Sequence, residues 1–364
     1  MYKTYFLTII YNLLQSMKKK IKKTALVTGG TGFIGTYLCK KLLEIGWKVN
    51  IIDLKKSNDK IINKNCKFLK IDLNKVKHTN KIFKNINTIF HFAAIPSIAN
   101  KTKEEFLKYN LRSTVNLIKC AKENKIKNII YSSSSVVYYG TKNLFPLREK
   151  DAGKTIDFYG LSKWLGEKTL MQEKEMKIKI LRPSVVIGPG RLGIFEILFN
   201  RILNNQNIYL IGGGQNYFQF TNVHDFVDAS IKCIKLKKSM IFNVGSSDKV
   251  KTYDLLSHVC KKAKSKSKII TTPALAVKIA LFFLSLINLS PLTKEQYLIA
   301  DKSFFLETRR AKKFLNWNDK FTTKQTLLDA FNWFKINFSK KKFQTSQFGI
   351  LTKFKNYNQS GFQK

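Results

Sequence analysis

The feature that most restricts the possible folds is one stretch near the N-terminus, "TALVTGGTGFIGTYLCKKLL" at residues 24–43. It has the pattern of a short hydrophobic strand, a turn rich in glycine and an amphipathic helix. Gly30, Gly32 and Gly35 satisfy the spacing GxGxxG, and counting from Gly29 the spacing GxxGxxG is satisfied as well. Such glycines permit a tight turn, close approach of the backbone to a pyrophosphate, and close packing of helix on strand. The stretch therefore predicts a dinucleotide-binding turn.

A carboxylate follows at the distance that a dinucleotide site requires. The next predicted strand, "WKVNIID", ends at Asp53, which is 18 residues after Gly35. At this position a carboxylate accepts hydrogen bonds from the adenosine ribose hydroxyls and repels a 2′-phosphate. The pattern favours NAD as the cofactor, although Lys55 and Lys56 just beyond leave NADP open.

The rest of the chain alternates short apolar runs with helical patterns. This alternation predicts an α/β fold: a doubly wound parallel sheet of the Rossmann type with a smaller C-terminal α/β lobe for substrate. Helical patterns lie near 33–45, 103–124 and 159–176. The predicted strands are TALVT, WKVNIID, CKFLKID, TIFHFAA, NIIYSS, KIKILRPS and MIFNVG.

The same alternation divides the chain into four parts. We expect an N-terminal extension over 1–22, a NAD-binding Rossmann domain over 23–182, and a lobe over 183–338 that mainly binds substrate. A late strand near 240–245 should return to the Rossmann sheet. The tail over 339–364 is basic and polar, and we expect it to be disordered.

Charge and cysteine usage exclude several classes of protein. The net charge is +43, but only seven basic residues are arginine and the lysines are spread along the chain. Arginine is the residue suited to bidentate phosphate and base contacts, so we expect no specific nucleic-acid partner. The five cysteines form no CxxC pair, which indicates a reducing, cytoplasmic compartment. The four histidines show no ligand spacing, so no metal site is predicted.

Two apolar segments bear on membranes. The run within residues 1–16 is too short to span a bilayer, and Met17 is a candidate for the true start. A second segment, Ala274 to Leu289, predicts a buried helix of the second lobe. The alternative is a lid or a membrane-surface helix, which would give weak peripheral membrane contact near the active site.

A tyrosine and a lysine follow the serine-rich segment "YSSSSVVYYG" at 131–140. In "DFYGLSKWLGEK", Tyr159 and Lys163 are spaced i, i+4 and so share one helix face. A tyrosine hydroxyl has a pKa near 10, so it needs a nearby positive charge to act as a base near neutral pH. Lys163, together with an oxidised nicotinamide ring, would supply that charge.

These motifs occur in a characteristic order. TGGTGFIG, Asp53, "IDL", "FHFAA", "YNLRSTVNLI", the serine strand, YGLSK and "LRPSVVIGPG" follow one another over roughly residues 24–330. As an ordered set they resemble the extended short-chain dehydrogenase/reductases, within the NAD-dependent epimerase/dehydratase group typified by UDP-galactose 4-epimerase. The resemblance implies a Rossmann fold, bound NAD, and a homodimer formed through two helices of the Rossmann lobe.

The resemblance also implies roles for individual residues. The catalytic set would be a serine, Tyr159 and Lys163; alignment from the strand selects Ser134, whereas alignment from Gly140 selects Ser135, and Ser134 is preferred. Substrate contacts would come from Ser135, Asn110 and Arg191. The cofactor contacts would be Gly29, Gly32, Phe33, Ile34, Gly35, Asp53, Asp72, Leu73, Ala93, Ala94, Tyr159, Lys163 and Pro183.

Departures from the family pattern bear on the reaction. No acid follows Ser134, which disfavours dehydration, and Phe218 stands where many epimerases carry a diphosphate-binding arginine. Arg191, or Arg309 and Arg310, could compensate. We therefore expect an epimerase acting on a nucleotide sugar by transient oxidation of a ring carbon. The alternative is a dehydrogenase of apolar alcohols or ketones, similar to the 3β-hydroxysteroid dehydrogenases; a non-catalytic NAD sensor or RNA-binding protein is disfavoured by the intact catalytic set.

Overall fold

The fold is built on a seven-stranded parallel sheet whose strands are apolar on both faces. The computed structural model describes residues 23–340 except 77–80, 100, 142–144, 192–194, 288 and 293. The strands of the sheet are β1 Thr24–Thr28, β2 Lys48–Asp53, β3 Lys67–Lys70, β4 Thr88–His91, β5 Asn128–Ser132, β6 Lys177–Pro183 and β11 Met240–Val244. They lie side by side in the order β11-β6-β5-β4-β1-β2-β3. All seven predicted strands, the late one included, are confirmed. The predicted extension over 1–22 and the tail beyond 340 lie outside the described residues.

Successive strands are added first on one side of β1 and then on the other: β2 and β3 lie on one side, and β4, β5, β6 and β11 on the other. Ala25 of β1 pairs with Val49 of β2 on one side and with Thr88 of β4 on the other. The chain therefore leaves the sheet in opposite directions after these strands, which opens a crevice at their carboxyl ends. This crevice is where an α/β sheet of this type binds its ligand.

Helices cover both faces of the sheet. α1 Phe33–Glu44 and α5 Phe158–Met171 lie where the sequence predicts them, and α5 ends earlier than expected because residues 173–176 form a turn before β6. The helix predicted over 103–124 consists of α3 Lys103–Phe106, a π-helical stretch Leu107–Arg112, and α4 Ser113–Glu123. The short α2 Lys60–Asn65 lies between β2 and β3.

The second lobe is assembled from late pieces of the chain. It contains three two-stranded sheets, in which β7 Val185–Ile187 pairs with β10 Phe220–Asn222, β8 Ile208–Ile211 with β13 Ile269–Thr272, and β9 Tyr217–Phe218 with β12 Val250–Lys251. Its apolar core includes Phe199, Val259 and Phe331. The helices that supply this core are α6 Phe195–Leu203, α8 Thr252–Ala263 and α12 Thr323–Lys340.

Two other late helices return to the Rossmann lobe. Phe226 of α7 Val223–Lys232, Leu315 of α11 Arg309–Leu315 and the following Trp317 belong to the same apolar cluster as Ala25 of β1. The indole of Trp317 donates to the Asp225 backbone oxygen at 3.0 Å. The Rossmann lobe therefore takes in more of the range 183–338 than the single late strand expected from the sequence.

The expectation that the segment 274–289 is a buried helix is wrong. The helix forms as α9 Ala274–Leu286 and packs on α10 Lys294–Ile299, but Leu281 is its one buried residue within the described chain. Leu275 is 73% exposed and Phe283 is 61% exposed. The apolar sequence of α9 is compatible with burial or exposure. The contacts that α9 makes with the lobe leave most of its side chains in solvent. Across the described residues, every helix falls short of the length and apolar character needed to cross a membrane.

Candidate active site

A cavity of about 1580 Å³ opens at the carboxyl ends of β1 and β4 and extends between the two lobes. One end is formed by the glycine turn and Asp53, and the other by α10 and the middle of α12. Tyr159 and the serine segment line the space between these ends. A dinucleotide at the first end would therefore present its reactive end to Tyr159.

The glycine turn has a geometry that larger residues would block. Gly29 has a φ of 71°, and its backbone nitrogen donates to the Ile52 oxygen at 3.0 Å. A Cβ on Gly35 would lie 2.1 Å from the Gly29 oxygen, and a Cβ on Gly29 would lie 2.7 Å from the Ala93 nitrogen. The turn therefore keeps the backbone at the N-terminus of α1 open, as the binding of a pyrophosphate requires.

Asp53 lies beside this turn. Its carboxylate accepts hydrogen bonds from the Thr31 hydroxyl at 2.6 Å, the Thr31 nitrogen at 3.1 Å and the Leu54 nitrogen at 2.7 Å. Three donors hold the carboxylate at the cavity wall, where an adenosine ribose beside the turn would meet it. Thr31, within the glycine motif itself, is a positioning residue that the sequence reasoning missed. The residues present thus fit an NAD molecule.

The other expected cofactor residues, apart from Lys163, also line the cavity. Asp72 accepts from the Asn74 nitrogen at 2.8 Å, and the Ala93 nitrogen donates to the Thr28 hydroxyl at 3.2 Å. These contacts fix the loops after β3 and β4. The lining residues among the predicted set are Gly29, Gly32, Phe33, Ile34, Gly35, Asp53, Asp72, Leu73, Ala93, Ala94, Tyr159 and Pro183.

Tyr159 and Ser134 both line the cavity. Burial raises the pKa of Tyr159 to about 12, while the Arg191 charge and the neighbouring Ser134 hydroxyl act against that rise. Ser134 caps the 3₁₀ turn Ser135–Tyr138, and the Val136 nitrogen donates to its Oγ at 3.4 Å. Ser135 lines the cavity too but is 2% exposed. This geometry favours Ser134 as the catalytic serine.

Lys163 lies deeper than its expected role suggests. Its Nζ donates to the Ser132 oxygen at 2.7 Å and lies 4.8 Å from the centre of the Tyr131 ring, and the residue does not line the cavity. Burial lowers the pKa of Lys163 to about 7, against the opposing charge of Glu167. The charge of Arg191 also acts on Tyr159, in the direction that lowers its pKa.

A neutral histidine lies beneath the same segment. His91 is fully buried, with Nδ1 2.7 Å from the Thr28 hydroxyl and Nε2 2.9 Å from the Thr114 hydroxyl. Burial, and secondarily the charge of Lys163, lowers the pKa of His91 to about 3. The "FHFAA" motif therefore places an uncharged hydrogen-bonding ring under the site.

A buried ion pair supports the serine segment. Both side chains of the Arg182–Glu167 pair are 1% exposed, with Nη2 2.5 Å from Oε2 and Nε 2.9 Å from Oε1. Ser133 donates a short hydrogen bond to the same carboxylate, and Arg182 also reaches the Tyr138 hydroxyl at 2.8 Å. Sequence reasoning missed Glu167, although its i, i+4 spacing from Lys163 was a usable signal.

Asn110, expected to contact substrate, instead hydrogen-bonds to the backbone of Ile95 and to Ser162. It is 1% exposed and does not line the cavity. Its Oδ1 accepts from the Ile95 nitrogen at 2.8 Å, and its Nδ2 donates to the Ile95 oxygen at 3.2 Å and to the Ser162 hydroxyl at 3.0 Å. Because its amide is fully engaged, we correct the expectation to a positioning role for the loop after β4.

The substrate end of the cavity is mainly apolar. Phe218 lines it, at the place where the family pattern has an arginine, and Arg201 lies at this end as well. The Arg201 guanidinium donates to the Asn207 oxygen at 2.9 Å. Other apolar residues that line the substrate end of the cavity include Phe195, Leu198, Leu255, Leu292, Trp333 and Phe334. No cluster of three or more metal-ligating side chains occurs among the described residues.

Curated proteins of known sequence resemble much of this chain. An uncharacterized protein, y4nG of Sinorhizobium fredii, is 31% identical over 87% of this chain and 80% of its own length. A putative UDP-glucose 4-epimerase of Methanocaldococcus jannaschii is 29% identical over 64% of this chain and 81% of its own. The human sterol-4-alpha-carboxylate 3-dehydrogenase, decarboxylating, is 30% identical over 60% of this chain and 59% of its own.

The fold and the motifs lead to the same assignment. The crystal structure of a UDP-glucose 4-epimerase with UDP-glucose from Thermotoga maritima superposes with a TM-score of 0.72 at 24% identity, covering 86% of this chain and 99% of that one. The model of the NAD dependent epimerase/dehydratase family matches residues 25–245. With the glycine turn, Asp53 and the Ser134–Tyr159 pair in one cavity, the chain belongs to the NAD-dependent epimerase/dehydratase family, and NAD is its cofactor.

Proposed function

We propose that this protein is an epimerase that inverts one ring carbon of a nucleotide sugar by transient oxidation. The observation that carries the proposal is that Ser134 and Tyr159 line the same cavity as the glycine turn and Asp53. The similarity to a putative UDP-glucose 4-epimerase over 81% of that protein's length supports it.

The residues of the chain would handle the proton of the reacting hydroxyl. Tyr159 accepts that proton while Ser134 holds the same oxygen, and on the return step Tyr159 gives the proton back. When bound, NAD would supply the hydride acceptor for the oxidation and the hydride donor for the reduction that inverts the carbon. The pKa of Tyr159, about 12 in this structure, must fall for proton transfer, and Arg191 is the cation that acts in this direction.

Arg191 is also the best-placed group for the diphosphate. It lines the cavity and lies over the Phe33 ring at 5.8 Å, at the N-terminus of α1. A guanidinium binds phosphate oxygens bidentately, so Arg191 would replace the arginine that is absent at Phe218. Ser135, which also lines the cavity, is a second candidate contact for the sugar.

A second candidate function is net oxidation of an apolar alcohol. It is favoured by Phe218 and the apolar far wall of the cavity, and by the similarity to a sterol-4-alpha-carboxylate 3-dehydrogenase. The two functions differ in how they treat the cofactor, because an epimerase returns the hydride to its substrate whereas a dehydrogenase must release NADH.

The deciding experiment measures NAD released by acid from protein purified without added NAD, then tests interconversion of UDP-glucose and UDP-galactose. Near-stoichiometric NAD with interconversion, lost in Tyr159→Phe while NAD is retained, supports the epimerase. An empty protein that makes NADH from apolar alcohols establishes the second function. Unchanged turnover in Tyr159→Phe would overturn the mechanism in both cases.

A further inference from the structure

Helix α9 presents a continuous apolar surface to solvent. Five of its side chains, each between 46% and 73% exposed, recur at the spacing i, i+4, i+7, i+8 and i+11. This spacing places them on one face of the helix. Exposed apolar patches of this kind mark interaction sites in proteins that are otherwise solvated. We call the set the apolar stripe: Leu275, Ile279, Phe282, Phe283 and Leu286.

The helix is held with this face outward. Leu281, 7% exposed, packs toward the lobe, and the Lys278 ammonium lies 2.5 Å from the Asp301 carboxylate, which follows α10. Rotating α9 to bury the apolar stripe would break this half-buried ion pair and expose Leu281. The outward orientation is therefore a property of the folded lobe.

The surrounding chain is strongly basic. Residues 261–302 contain eight lysines and two acidic residues, and one of each is used in the Lys278–Asp301 pair. The lysines of the segment 261–268 are exposed, and Lys294, also exposed, begins the helix that packs on α9. Strand β13, which joins this lysine segment to α9, spans only about 13 Å. Two copies of such a surface would repel each other, whereas anionic headgroups would attract it.

We propose that the apolar stripe docks on an anionic membrane surface, with α9 lying in the headgroup region. The chain that directly follows α9 lines the cavity through Leu292, Gln296 and Ile299. Docking therefore brings the apolar substrate end of the cavity next to the lipid. This inference goes beyond the proposed function and does not depend on which substrate the protein uses.

The test is co-sedimentation of the full chain with vesicles of equimolar phosphatidylcholine and phosphatidylglycerol. The variant Phe282→Ser/Phe283→Ser removes two aromatic rings of the stripe, and Ile61→Ser/Ile336→Ser removes two side chains of similar exposure, 53% and 55%, on α2 and α12. We expect the wild type and the control to bind, added salt to weaken binding, and the stripe variant to lose at least about tenfold in partitioning.

Three outcomes would overturn the proposal. They are no binding to anionic vesicles, equal binding by the wild type and the stripe variant, and a wild-type dimer that the stripe variant converts to a monomer. The last result, measured by light scattering, would show that a second copy covers α9. NAD content and turnover of the stripe variant, whose changed residues lie outside the cavity lining, report the proposed function separately from membrane binding.

Discussion

The buried Arg182–Glu167 pair makes the change Glu167→Gln a sharp test of how the serine segment is supported. Glutamine keeps the shape and one acceptor oxygen but removes the charge, so Arg182 becomes a buried cation without its counter-ion. Removing one partner of a buried pair costs about 3–5 kcal/mol. Because Arg182 keeps its hydrogen bonds to the Tyr138 hydroxyl and to the Glu149 oxygen, at 2.8 and 2.7 Å, we expect the lower end, about 3 kcal/mol.

Urea unfolding followed by tryptophan fluorescence measures this loss. The matched control is Glu44→Gln, the same chemical change in an ion pair with Lys41 where the glutamate is 67% exposed, which should cost no more than about 0.5 kcal/mol. If Glu167→Gln unfolds at the same urea concentration as the wild type, the reasoning is refuted.

A second readout separates positioning from stability alone. The Glu167 charge raises the pKa of Lys163 against burial, so Glu167→Gln should lower it further. We expect the alkaline limb of the activity profile to move to lower pH, measured where the variant is still folded. An unmoved profile would leave Glu167 a purely structural role.

Three further predictions concern the serine choice, the glycine turn and the buried histidine. Ser134→Ala should lower kcat by about 10²–10³-fold and Ser135→Ala by much less, and the reverse order in a turnover assay would select Ser135. Gly35→Ala places a Cβ 2.1 Å from the Gly29 oxygen, so purified protein should lose its NAD; full NAD content would contradict this. His91, with its pKa lowered to about 3, stays neutral when folded but charges near pH 6.5 when unfolded, so the wild type should lose about 2 kcal/mol of unfolding free energy from pH 7 to 5. His91→Gln should lack that loss. Urea titrations at pH 7 and pH 5 that show the same loss in the wild type and in His91→Gln would reject the assignment.

Much of the site follows from local patterns. Three features are each set within one strand, turn or helix: the glycine spacing, Asp53 at the end of β2, and the i, i+4 pair on α5. Their positions can therefore be predicted without knowledge of distant contacts. The cavity accordingly contains nearly all the predicted cofactor residues. The choice of Ser134 also rested on strand register, because a strand fixes side-chain direction more firmly than the loop that follows it.

By itself, the sequence determined the parallel sheet, the dinucleotide turn and the position of Tyr159 on its helix, because these depend on spacings within single elements. The tertiary structure alone decided the outward face of α9, the depth of Lys163, and the internal role of Asn110. Each of these depends on which distant residues come into contact. An apolar helix has the same periodicity whether it is buried or exposed, and a polar side chain has the same chemistry whether it meets a ligand or a neighbouring backbone.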